Sequence, residues 1–107
     1  MEPLLVLTNV PDLAGAEKLA HALIESRAAA CVNVLAACRS IYRWQGAVDT
    51  AEEIPLLVKT TAASYPQVEA IVRAHHPYDV PELIAVPITH GLPAYLGWLA
   101  KETEKHD

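Results

Sequence analysis

The sequence predicts an α+β sandwich: four antiparallel strands with two helices on one face, and a third helix at the end of the chain. Three observations carry that prediction. Short apolar runs and amphipathic stretches alternate in the order βαββαβ. The middle of the chain holds two strand-like runs joined by a polar turn region, which reads as one long hairpin. Each half is then a split βαβ unit, whose right-handed crossover places both helices on the same side.

The first element is the apolar run Pro3 to Val10, a buried strand closed off by Pro11. Asp12 stands at the N-cap position of the helix that follows, where a carboxylate accepts from free backbone N–H groups. Leu13, Ala16, Ala20, Leu23 and Ile24 recur at helical spacing, with Glu17, Lys18, His21 and Glu25 on the other side. This helix is expected to end near Arg27. In AACVNVLAACRSIYRWQG, Cys31 and Asn33 point one way and Val32 and Val34 the other. Farther on, Ser40, Tyr42 and Trp44 share a face, and Ile41, Arg43 and Gln45 share the opposite one. Gly46 and the polar run Asp49 to Glu53 mark the expected turn region, and Ile54 to Thr61 is the returning strand. Pro55 inside it has no N–H to give, so it predicts a sheet edge or a bulge.

Ser64 and Gln67 have capping-box spacing, and Pro66 suits a first helical turn. Val68, Ile71, Val72 and His75 form the expected apolar side of the second helix. Pro77 ends it, because the residue before a proline avoids the helical region. Glu82 to Thr89 is the fourth strand, and Gly91 to Leu99 leads into the short last helix. The charged tail, Lys101 to Asp107, is expected to fray. The whole is a ferredoxin-like sandwich with an additional C-terminal helix, in one domain spanning residues 1–107.

Composition narrows the function. The chain is 52% hydrophobic and only 20% charged, and it contains no Phe. So apolar a small domain is expected to hide surface in an oligomer. Thirteen acidic against eight basic residues give a net charge of −5. The basic residues are scattered singly, so a nucleic-acid interface and an anionic membrane surface are both disfavoured. The N-terminus has an acid where a signal peptide needs basic residues, and no run reaches transmembrane length. Cys31 and Cys38 are spaced for neither a redox motif nor a disulfide framework. A reducing cytoplasm is the expected compartment.

Several residues stand out chemically. His75 and His76 are adjacent imidazoles at a helix end. They suit copper or zinc, or alternatively cover the helix edge and cap its last carbonyls. Tyr42 and Trp44, two apart on one strand, suggest a ligand floor or a partner surface. Lys59 lies in the apolar IPLLVKTT and needs a carboxylate or an anion, with Glu82 the obvious partner. No nucleophile–base set is evident, so an enzyme is not expected.

Five segments identify a family by their order and intervals: AACVNVL, SIYRWQG, EEIPLLVKT, HHPYDVPELIAVPITHG and YLGWL. The chain resembles the CutA proteins, the divalent-cation tolerance family, over nearly its whole length. The resemblance implies a homotrimer in which the long hairpin reaches onto the neighbouring subunit, an architecture similar to that of the PII signalling trimers. It implies copper binding through the two adjacent histidines, here His75 and His76, with a cysteine ending the first strand. That cysteine position falls on Thr8, and Asp79 stands where many members have Glu. An intersubunit pocket lined by Tyr42, Trp44, Lys59, His76, Tyr78 and Glu82 is also implied. Two functions follow as expectations. One is a trimer associated with tolerance to divalent cations, with copper the candidate ion. The other is a PII-like signalling trimer holding a small anion, with a structural, partner-docking trimer beside it.

Overall fold

The computed structural model describes residues 1–104. Its elements are β1 (Pro3–Val10), α1 (Leu13–Glu25), β2 (Cys31–Val34), β3 (Cys38–Trp44), β4 (Ala47–Thr61), α2 (Tyr65–His75), β5 (Leu83–Pro87) and α3 (Pro93–Glu102). The sheet is antiparallel, in the order β2-β4-β1-β5, and β3 pairs with the far end of β4. The α+β sandwich predicted above is the fold observed, with its second strand broken into β2 and β3.

The alternation of β1 sets the layers. Val6, Thr8 and Val10 are buried, and they join Ala16, Leu19 and Leu23 of α1, Val68 and Val72 of α2, and Leu56 and Val58 of β4. Burying each such aliphatic side chain contributes roughly 1.5–3 kcal/mol. Two threonines lie on this helix-facing side, and each hydroxyl has a carbonyl to donate to. Thr8 Oγ1 reaches Glu82 O at 2.7 Å and Thr60 Oγ1 reaches Ala28 O at 2.6 Å. A buried hydroxyl without such a partner costs on the order of 1–3 kcal/mol. The buried stripe of α1 differs from the predicted one. Leu19 is a core residue, whereas Leu13 and Ile24 lie 54% and 40% exposed at the two ends of the helix.

Asp12 is the N-cap of α1, and its carboxylate accepts from Gly15 N at 2.7 Å. The capping box expected at α2 does not form. Ser64 has helical rather than extended backbone angles, so its side chain makes no cap bond, and Gln67 turns its amide to Ser26 O. His75, expected on the apolar side of α2, is exposed. The predicted turn is also shifted. Asp49 to Glu53 are strand residues paired with Cys38 to Tyr42, and the chain reverses in two residues, Gln45 and Gly46. Their φ values of 49° and 81° make a type I′ turn, the geometry that matches strand twist.

Pro55 lies at the junction where β2 leaves β4 and β3 takes over. Its carbonyl accepts from Leu35 N, so the absent N–H faces that same side, where regular pairing with β2 has already ended at Val34. Beyond the junction the hairpin leaves the core, and Ile41 (68%) and Val48 (65%) are exposed on it. The radius of gyration is 14.4 Å, against about 13 Å for a compact chain of this length. α3 is held to the rest by Leu99, which is fully buried, and by Arg27, whose guanidinium donates to Glu102 O and lies 3.6 Å from its carboxylate. The tail therefore does not fray at Lys101: α3 runs through Glu102, and residues 105–107 lie outside the described residues.

Two substitutions check these assignments in urea denaturation. Asp12→Ala removes the α1 cap and is expected to cost about 1 kcal/mol. At Gly46 a side chain meets nothing within 4 Å, so Gly46→Val is strained through its positive φ alone and is expected to cost about 1–3 kcal/mol.

Candidate functional site

His76 is where the sheet and helix layers meet. It follows the last residue of α2, its backbone turns extended, and the residue is 8% exposed. Both ring nitrogens are engaged. Tyr78 N donates to Nδ1 at 3.1 Å, which fixes Nδ1 as the acceptor. Nε2 then carries the proton and donates to Asn9 O at 2.6 Å. The Tyr78 ring folds back onto the imidazole, with centroids 4.8 Å apart.

His75 is placed differently. Its Nδ1 lies 2.9 Å from Ile71 O, one turn back in α2, so that nitrogen donates and Nε2 keeps its lone pair toward solvent. It is therefore His75 that caps a helix carbonyl, and His76 that reaches across to β1. Thr8, where the resemblance led one to expect a cysteine, is 1% exposed and donates to Glu82 O. Among the described residues, no three His, Cys, Asp or Glu side chains converge as a metal site.

The other expected pocket residues fall into separate groups. Tyr42 shares a hairpin face with Asp49, directly opposite it, and with Glu53. Its hydroxyl is held above the usual phenol value, first by loss of hydration and then by its neighbours Asp49, Tyr78 and Glu53. Tyr42 and Tyr78 thus lie within electrostatic reach of one another. Trp44 sits at the hairpin tip, opposite Ala47 and 54% exposed.

Lys59 does not pair with Glu82. It lies opposite Leu5 on one side and Cys31 on the other, whereas Glu82 immediately precedes Leu83, which is opposite Thr8. The two are separated by all of β1 and by about 13 Å along the strands, at about 3.3 Å per residue. Lys59 Nζ donates instead to Asn33 Oδ1.

Lys59 belongs to the sheet face turned away from α1 and α2, and that face is apolar. Leu5 and Leu7 of β1, Leu57 of β4, and Ile84 and Val86 of β5 lie on it by register. Ile84 is 53% exposed and Val86 43%. At its β2 border Tyr95 of α3 approaches Cys31. Loss of hydration and then the thiol hold the Tyr95 hydroxyl above its usual value. Cys31 and Cys38 are free thiols, and they lie opposite Lys59 and Glu53, six residues apart on β4. That is about 20 Å, far beyond disulfide reach.

Sequence reasoning did not name Asn9, Asp49 or Glu53 as neighbours of the site. The last two follow from hairpin register once the turn is assigned to Gln45-Gly46. Asn9 acts through its backbone carbonyl, which leaves no side-chain signal.

Comparison with known proteins agrees with this architecture. Residues 4–102 match the family described as CutA1 divalent ion tolerance protein. Divalent-cation tolerance protein CutA of Thermus thermophilus is 49% identical over 98 residues, covering 92% of this chain and 95% of that protein. A solved structure of the divalent cation tolerance protein from that organism superposes with a TM-score of 0.94 at 47% identity, covering 95% of this chain and 99% of the other. The chloroplastic CutA of Arabidopsis thaliana is 39% identical over 100 residues, 94% of this chain but 55% of that protein, so the chain spans about half its length. With a family match over nearly the whole described length, the chain belongs to the CutA1 divalent ion tolerance family.

Proposed function

We propose that this protein works as a homotrimer in tolerance to divalent cations, by binding rather than by catalysis. The observation that supports it most is the sheet face opposite α1 and α2. Five aliphatic residues lie there beside a projecting hairpin whose Ile41, Trp44 and Val48 are exposed. Apolar surface on this scale favours burial against another copy of the chain. The names of the Thermus relatives supply the cation-tolerance half of the reading.

For copper, the donor set of one chain is a poor fit. His76 keeps no free ring nitrogen, and Thr8 offers a hydroxyl already bonded to Glu82 in place of a soft thiolate. Of Thr8, His75 and His76, it is His75 that keeps a free donor in Nε2, and copper binding is assigned to it. One imidazole makes a weak site. A second reading, a small anion held between subunits, draws on Lys59. No carboxylate among the described residues lies within ion-pair distance of it, and its partner is the neutral amide of Asn33.

For compartment we propose the cytoplasm, a reading supported by two free thiols. Among the described residues no helix is long and apolar enough to cross a membrane.

Two measurements test these readings. Sedimentation at nanomolar concentration should find a trimer for the parent and a shift toward smaller species for Trp44→Ala; a variant that stays trimeric removes Trp44 as an interface anchor. Calorimetric titration with copper should give weak binding that His75→Ala abolishes and His76→Ala leaves in place. Tight binding near one copper per subunit that vanishes in His76→Ala would overturn the assignment to His75.

A further inference from the structure

The loop 77–82 connects α2 to β5 and carries Tyr78 and Val80 at 44% and 76% exposure. A loop so open to solvent is ordinarily free to move. This one is fastened at both ends to adjacent residues of β1. At its start, His76 Nε2 donates to Asn9 O at 2.6 Å. At its end, Thr8 Oγ1 donates to Glu82 O at 2.7 Å. Inside the first fastening, Tyr78 N donates to His76 Nδ1 at 3.1 Å, and the two rings lie 4.8 Å apart.

We infer that Thr8 and His76 are positioning residues: together they clamp loop 77–82 to the end of β1 and so fix the Tyr78 ring beside the candidate site. Three features support this role. The clamp residues are buried, at 1% and 8% exposure, where a hydrogen bond is least exposed to competition from water. Each bond ends on a backbone carbonyl, so the chain path is held whatever side chains the loop carries. Both fastenings also lie on consecutive residues of β1, a strand paired on both sides, with β4 and with β5. The loop is thus referred to the sheet rather than to another loop.

The clamp explains why the histidine pair divides its work. His76 holds the loop with both nitrogens, and His75 keeps one free. It also gives Thr8 a positive role. A hydroxyl at this position can donate to a carbonyl 2.7 Å away, whereas a thiol is a weak donor of longer reach.

The inference concerns the same site as the proposed function but does not depend on copper, so it is tested on chelator-treated full-length protein. The measurement is amide hydrogen exchange, read as the protection of Tyr78 N–H relative to Leu57 and Val58 of β4. Taking the ratio removes any general loosening of the fold by a buried substitution. Thr8→Val deletes one fastening at nearly constant volume, and His76→Phe deletes the other. Each is expected to lower the ratio tenfold or more, and Thr8→Ser, which keeps the hydroxyl, to restore it. A Tyr78 amide that exchanges as in an unstructured peptide in the parent protein, or a ratio unchanged in both variants, overturns the clamp. Failure here leaves the copper titration and the sedimentation result standing.

Discussion

Pairing along β4 is the constraint on which the other elements depend. Fifteen residues of one strand pair with β1 along one edge and with β2 and then β3 along the other. Its inner half is core: Leu56, Val58 and Thr60 face the helices and are fully buried. Its outer half has left the core and carries the hairpin. A single proline marks the passage between the two. Because Pro55 directs its missing donor into the gap between β2 and β3, the strand continues through it with no unpaired amide. The same chain segment thus supplies a stable sheet to one end of the molecule and a projecting surface to the other.

Much of this was legible in the sequence. β1 announces itself by an apolar run and a proline stop, α1 by helical spacing and the Asp12 cap, and both lie where those signals put them. The hairpin turn was misread for a physical reason. Asp49 to Glu53 are polar because both faces of the hairpin lie outside the core, where strand residues need not alternate with hydrophobic ones. Polarity there signalled exposure, and Gln45-Gly46, the pair able to take positive φ, held the turn. Ser64 and Gln67 have the right spacing for a capping box, but Thr61 already accepts the Ser64 N–H and leaves that residue helical. Spacing fixes what can meet, and the preceding residues decide whether it does.

The site was half legible. Adjacent histidines were conspicuous, but their division of labour depends on which direction each leaves the helix end, and that is a property of the tertiary fold. His76 turns inward because the backbone becomes extended there, ahead of Pro77, and the nearest acceptor is a carbonyl of β1. Lys59 and Glu82 were paired by charge alone, and the order of the strands separates them. Asn33 answers the lysine instead, from the neighbouring strand.

The sheet order also bears on the time course of folding. β1 is the first strand made, yet it pairs with β4, some fifty residues later, and with β5, roughly eighty residues later. Contacts this distant along the chain close slowly, because the loop entropy is lost before the pairing returns anything. On the ribosome, the apolar run LLVLTNV emerges well before either of its neighbours exists. Until β4 arrives, α1 is the only element near in sequence that can shield one of its faces, and both of its edges stay open to other chains. A strand at the centre of the finished sheet is therefore open to aggregation in the nascent chain, and the speed at which residues 54–61 follow it sets how long that exposure lasts.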